Sequence, residues 1–300
     1  MNLELMKTLT TLNVSSLYKI LLKFLKSKGY TNIKKGQTFI MAEGEIPVCL
    51  IAHMDTVNID FYNKVPDMSL YDPEQDIFHV VSGCTLDDRL GIYSIIQIIL
   101  DGYKPSIIFT DLEETGGQGI EEFVTRYTKC PFDINFIIEL DRQGENDSVY
   151  YSCNNKKFQK YINSFGFKTA QGTFTDCLIL GETWDIAAVN LSCGYLLEHT
   201  IYEYAHLKWT HNTIDKVEKI LQDTNNAIKF KYNALKKNEK HYNQIYPKFK
   251  MPDTQCLICG AEITHNNSHF IPDNKYPYYV CSSCYKQYYL DMEEDQPWEN

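Results

Sequence analysis

The feature that most constrains this fold is a series of short apolar runs that end on acidic residues or histidine. Residues 47–52 run into His53, Met54 and Asp55; Ser106 to Thr110 leads to the pair Glu113-Glu114; Phe136 to Leu140 stops at Asp141. Apolar runs of this length read as buried strands. A further strand is expected at 37–42. Helical patterns at 13–29, 91–100 and 119–127 alternate with these strands, with Asn13 as N-cap and Gly29 as a C-terminal stop for the first. Such alternation implies an α/β sandwich whose sheet is covered on both faces. Its polar groups then sit on strand-end loops, where sheets of this kind take ligands. Residues 58–80, with Pro66, Asp72, Pro73 and Glu74, read as loop and hairpin at the border of that site.

The chain has 300 residues, enough for an α/β domain of roughly 200 to 250 residues and a small module. Its net charge of −10 argues against nonspecific nucleic-acid binding, because phosphate backbones attract basic surfaces. Nine lysines between 216 and 250 form a local exception, read as the solvated face of a long amphipathic helix with Val217, Ile220, Leu221, Ile228 and Leu235 inside. The first 30 residues have helical spacing, interspersed lysines and no small-residue cleavage site, and so do not read as a signal peptide. No apolar run is long enough to span a membrane. Ten cysteines, six of them scattered in apolar surroundings, suggest a reducing, cytoplasmic compartment.

Five motifs carry chemistry: His53-Met54-Asp55, Asp87-Asp88-Arg89, Glu113-Glu114, Asp141 and His199. Each alone has a plain structural reading: a packed histidine, a solvated ion-pair loop, an acidic turn. Adjacent carboxylates at a strand end repel, however, and persist most readily beside cations. Taken in order, the motifs supply donors for two divalent metal ions, which together can ionise a water and polarise a carbonyl. His79, His206, His211 and His241 read as surface or packing residues.

The ordered set His-x-Asp, Asp-x-Arg-x-Gly, Glu-Glu, Asp, His resembles the co-catalytic zinc exopeptidases, the clan of the M28 and M42 aminopeptidases and the M20 peptidases and deacylases. The resemblance covers about residues 10 to 215. It implies a three-layer α/β sandwich with a mixed, mainly parallel central sheet. It also implies that His53 and Asp141 bind one ion, Glu114 and His199 the other, and that Asp87 bridges them. Asp55 would orient the His53 imidazole, Glu113 would act as general base, and the Asp87-Asp88 bond would be cis. Asp176 lies where relatives carry a Thr-Asp turn, with a structural or substrate-facing role, and Glu203 follows His199 as in relatives. Only 57 residues separate Asp141 from His199 and 33 separate His53 from Asp87, too few for the M20 lid or the M42 insertion. The layout is thus closest to M28, and Asp rather than Glu at 141 is more like an aminopeptidase.

Near the C-terminus, Cys256-x-x-Cys259 and Cys281-x-x-Cys284 stand 21 residues apart, the spacing of a four-thiolate structural zinc site. Metal there would supply folding energy that about 30 residues cannot draw from a core. The expected organisation is a catalytic domain at 1–215, a long helix at 216–246, a linker at 247–255, a zinc ribbon at 256–289 and an acidic tail. The expected activity is removal of N-terminal residues from short peptides, using two zinc, cobalt or manganese ions. The alternatives are an amidohydrolase or deacylase of N-acyl amino acids, or a silent binding scaffold that contacts a protein partner through the ribbon.

Overall fold

Along each central strand, alternate side chains enter two separate cores. Ile40, Leu50, Ala52, Phe109 and Ile138 belong to one, and Met41, Cys49, Ile51, Ile108 and Ile137 to the other. This period of two is what a sheet buried on both faces requires. The computed structural model describes residues 2–57, 69–81, 85–172, 174–200, 202–223 and 228–234 of a unit spanning Met1–Lys236. In a second unit, Lys237–Asn300, it describes 268–271, 278–281 and 283.

In chain order the first unit contains α1 (Leu3–Thr11), α2 (Val14–Ser27), β1 (Ile33–Lys35), β2 (Phe39–Ala42), β3 (Ile46–His53), β4 (Ser69–Asp72) and β5 (Ile77–Val80). There follow α3 (Leu86–Leu100), β6 (Pro105–Thr110), α4 (Gln118–Arg126), β7 (Phe136–Arg142), β8 (Asp147–Val149), α5 (Lys156–Asn163) and β9 (Lys168–Ala170). The remainder is α6 (Asp176–Trp184), β10 (Ala188–Ser192), β11 (Tyr195–Leu196), β12 (Tyr204–His206) and α7 (Leu207–Asp223). The main sheet runs β1-β2-β6-β3-β7-β10-β8-β9, and its centre, β6-β3-β7-β10, is parallel. The antiparallel pairings β1-β2, β2-β6 and β10-β8 make it mixed. Helices α1, α2, α3, α5 and α7 pack on one face and α4 and α6 on the other, giving three layers. A smaller sheet, β11-β12-β5-β4, contains the expected hairpin; residues 58–68 of that loop lie outside the described residues.

Local chemistry explains the boundaries. Asn13 caps α2 by accepting from the Ser16 amide at 2.8 Å. At its other end Gly29 takes φ +77° while Tyr30 N donates to Leu25 O and Gly29 N to Lys26 O, the paired bonds of a glycine-terminated helix. In α3, Asp87 and Asp88 carry non-helical angles and the bond between them is cis, so regular helix begins only after the motif. Gly91 has a packing cause: a Cβ there would lie 2.0 Å from the Leu140 carbonyl oxygen, so only glycine lets α3 approach β7 beside Asp141.

The long helix expected at 216–246 is corrected. Helix α7 begins at Leu207, where Leu207, Thr210, Ile214, Val217 and Leu221 form its buried stripe, and it ends at Asp223. Lys229 to Ala234 are not helical: Lys231 bridges Ile186 and Ala234 bridges Cys153. Phe230 and Tyr232 alternate into the core, and Phe230 lies 5.2 Å from Phe158 and 6.0 Å from Phe136 between ring centroids. Ile228, assigned to the buried face of that helix, is exposed. Burying two aromatics at a spacing of two outweighs the helical preference of the surrounding lysines. The boundary expected at 215 therefore moves: the first unit continues to Lys236.

In the second unit, β13 (Ser268–Ile271) and β14 (Tyr278–Cys281) pair antiparallel, with Ser268 opposite Cys281. Cys256, Cys259 and Cys284, the linker and the tail lie outside the described residues.

Candidate metal centre

The five motifs meet at the carboxyl ends of the parallel strands. His53 is the last residue of β3, Glu113 and Glu114 follow β6 on a turn, and Asp141 is next to last in β7. Asp87 enters from the start of α3, and His199 from the loop between β11 and β12. Their donor atoms form three groups, each within 4.8 Å: His53 with Asp87 and Asp141, Asp87 with Glu114 and His199, and His53 with Glu113 and Glu114.

The hydrogen bonds fix which atoms face inward. His53 Nδ1 lies 3.1 Å from the Asp55 carbonyl oxygen and 3.4 Å from its Oδ1. A proton held there leaves the Nε2 lone pair facing Asp87 Oδ1 at 3.1 Å and Asp141 Oδ1 at 3.5 Å. Three acceptors pointing at one locus repel unless a cation or protons lie between them. The other Asp87 oxygen, Oδ2, faces His199 Nε2 at 3.2 Å, and Glu114 Oε2 approaches the same nitrogen at 3.0 Å. Asp87 thus divides its two oxygens between two groups of donors. The carboxylate and imidazole chemistry suits divalent zinc, cobalt or manganese, and the residues fit a pair of such ions.

Asp55 has a second task. Its Oδ1 and Oδ2 accept from the backbone amides of Glu113 and Glu114 at 3.1 and 3.0 Å, so one buried carboxylate aligns both His53 and the acidic turn. Asp88 Oδ2 accepts from His53 N and its Oδ1 from Gly91 N. Around Asp141, Tyr195 donates its hydroxyl to Oδ1 at 3.2 Å, Thr175 Oγ1 lies 3.1 Å from Oδ2, and Asn190 pairs with both backbone groups.

The electrostatics of the cluster are those of acids crowded together and buried from solvent. Burial, then the neighbouring Asp87, pushes Asp141 up to about 7. Burial is also the chief cause for Glu113, which stands well above the usual carboxylate range. Burial lowers the His53 pKa, but the carboxylates of Asp141, Asp55 and Asp87 outweigh it and hold the imidazole well above its ordinary value. Hydrogen bonds to Asp87 and Glu114 raise His199 to about 11. Burial opposes ionisation of Asp87, yet its bonds to both histidines bring it below the ordinary value.

Sequence reasoning left several supporting groups without a role. Glu139, fully buried on β7, accepts from Thr175 Oγ1 at 2.6 Å and Cys177 N at 3.1 Å, and burial pushes it to about 8. An acid inside the otherwise apolar run FIIEL was the available signal. Asp176, expected in a structural or substrate-facing role, is buried, accepts from Thr110 Oγ1 and is raised to about 7 by burial. His79 bonds the Glu203 carbonyl, His211 the Tyr93 hydroxyl, and His206 stacks on Trp209; none of these three joins the cluster. His241 lies outside the described residues.

No protein-family model matches the sequence, and no curated protein matches it. Among solved structures, a tripeptidase from Staphylococcus aureus is similar at a TM-score of 0.59 and 13% identity, over 74% of this chain and 97% of that one. Aminopeptidase PepT from Bacillus cereus gives 0.58 and 11% over 73% and 97%, and the Pyrococcus horikoshii TET1 peptidase, which assembles into a tetrahedron or a large octahedral shell, 0.54 and 13% over 73% and 98%. At these identities the likeness establishes the fold: residues of the first unit adopt the mixed α/β architecture of solved peptidases.

Proposed function

We propose that this chain is a di-metal hydrolase of peptide bonds, an aminopeptidase acting on short peptides. The observation that carries the reading is the pair of donor groups sharing Asp87, with Glu113 beside them. Two divalent ions, zinc foremost, would supply Lewis acidity and a water ionised near neutral pH. His53, Asp87 and Asp141 would hold one, and Asp87, Glu114 and His199 the other, while Asp55 keeps the His53 tautomer. Glu113, whose raised affinity for protons comes chiefly from burial, takes the proton of the attacking water as the new C–O bond forms. It then returns that proton to the leaving amine as the C–N bond breaks. The resemblance to the co-catalytic exopeptidases, in which the short spacings and an aspartate at 141 are more like an aminopeptidase, implies free-amine substrates over N-acyl ones. The peptidase names of the similar structures support the same class.

Glu113→Gln keeps the shape but cannot take a proton, so turnover should fall by about 10² to 10⁴ while both ions are retained. Free-amine peptides should be cleaved and N-blocked or N-acyl substrates left intact. Loss of the ions along with activity, or preference for N-acyl substrates, would overturn the assignment. For the C-terminal unit, we propose one structural zinc held by Cys256, Cys259, Cys281 and Cys284, forming a surface for a protein partner. Elemental analysis should show one zinc fewer per chain in Cys281→Ser; equal zinc in variant and parent would remove the ribbon.

A further inference from the structure

Four residues beyond His199 in the chain stands Glu203, a carboxylate 1% exposed that belongs to none of the three donor groups. Its Oε2 accepts from the Leu86 amide at 2.7 Å and its Oε1 faces the Asp87 amide at 3.4 Å. These are the first amides of α3, where Thr85 provides no side-chain cap. Helix-start amides need an acceptor when buried, and here it comes from 116 residues further along the chain. Glu203 is itself fixed from two sides: its amide donates to Thr200 O at 3.1 Å, and its carbonyl accepts from His79 Nδ1 at 2.7 Å. His79 lies opposite Tyr204 in the β5-β12 pairing, so the small sheet anchors this contact. The turn needs anchoring, because Leu197 and His199 both have φ near +60°, a region that costs non-glycine residues energy.

We propose that Glu203 is a positioning residue that locks the backbone of Asp87 to the His199 turn and so sets the geometry of the second ion site. The inference rests on the di-metal reading. His53 and Asp141 have their own supports in Asp55, Asp88, Tyr195 and Thr175, so the first site depends on Glu203 only through Asp87. In Glu203→Gln one acceptor becomes an amide donor facing the backbone N–H groups.

The test uses Mn²⁺, a hard ion that the thiolates of the C-terminal module bind poorly, with the full chain. Calorimetry counts the sites, and electron paramagnetic resonance distinguishes a coupled pair from single ions. Wild type should bind two ions and give a coupled spectrum. Glu203→Gln should keep the first affinity within about threefold, weaken the second about 10- to 100-fold, and give a mononuclear spectrum at stoichiometric metal. His79→Phe, which removes only the support of the Glu203 carbonyl, should weaken the second site in the same selective way and serves if Glu203→Gln does not fold. Two wild-type affinities in either folded variant, or equal weakening of both sites, overturn the role of Glu203. A wild type that binds no pair of ions instead overturns the di-metal reading.

Discussion

The two halves of the candidate metal centre are built differently. Around His53 and Asp141 the donors stand on adjacent parallel strands, β3 and β7, and both side chains are at most 9% exposed. Each is held by hydrogen bonds from several elements. Around His199 and Glu114 the donors stand on turns, His199 is 49% exposed, and its backbone has positive φ. Asp87 belongs to both halves. Strand-borne donors keep their geometry because the ladder and two cores fix them. Turn-borne donors open at lower cost. Under the di-metal proposal, the first half should therefore make the firmer site, and the second the one that exchanges its ion more readily.

Removing donors one at a time should break or sustain this asymmetry most visibly. Asp87→Ala should abolish binding of both ions, because it serves both groups. His53→Ala should remove the tighter ion, and His199→Ala only the weaker one, by more than the 10- to 100-fold typical of losing an outer partner. Equilibrium dialysis of the three variants checks the order. If His199→Ala releases both ions together, the halves act as one unit and the contrast fails.

Much of this asymmetry was legible in the sequence. The strand-borne donors end apolar runs whose length and position were readable, because sheet burial leaves a dense hydrophobic trace. Helix α2 was readable from its spacing and caps, and α4 from its spacing. What sequence could not convey was long-range bonding: Glu203 reaching the start of α3, or Tyr195 reaching Asp141, leaves no local pattern. The tail of the first unit was misjudged because Phe230 and Tyr232 sit among lysines that suggest a solvated helix. Only the facing rings of Phe136 and Phe158 make that segment extended core.

A second contrast is between the metal-free and metal-loaded states. Glu139, Asp141, Asp176 and Glu203 are held at about 7 to 8 by burial foremost. Their folded-state values exceed the ordinary ones, so the folded chain binds more protons than the unfolded chain. Their contribution is present below about pH 4 and is lost as pH rises through 7 to 8. His53 and His199, also raised, act in the same direction above pH 6.5. Asp87, which is lowered, acts oppositely, but only below about pH 4. The metal-free protein should therefore melt at lower temperature at pH 8 than at pH 5.5. Even one effective pKa unit is about 1.4 kcal/mol, or roughly 3–6 °C for a domain of this size. Metal ions should flatten this slope by neutralising the charge, and a metal-free melting temperature that rises with pH would contradict the electrostatic picture.

The smallest expected effect tests whether the firmer half owes its firmness to hydrogen bonds as well as to the sheet. Tyr195→Phe removes only the hydroxyl that donates to Asp141 Oδ1, and the ring stays in the core. Thr175 and Asn190 still hold the residue. One such bond is worth about 0.5–1.5 kcal/mol, so the tighter ion should weaken by roughly 2- to 12-fold. The second ion should be affected less, since Tyr195 reaches it only through the shared Asp87. An unchanged first affinity would mean that the strand ladder alone fixes Asp141. Equal weakening of both ions would mean that Tyr195, on β11, supports the His199 loop as much as it supports Asp141.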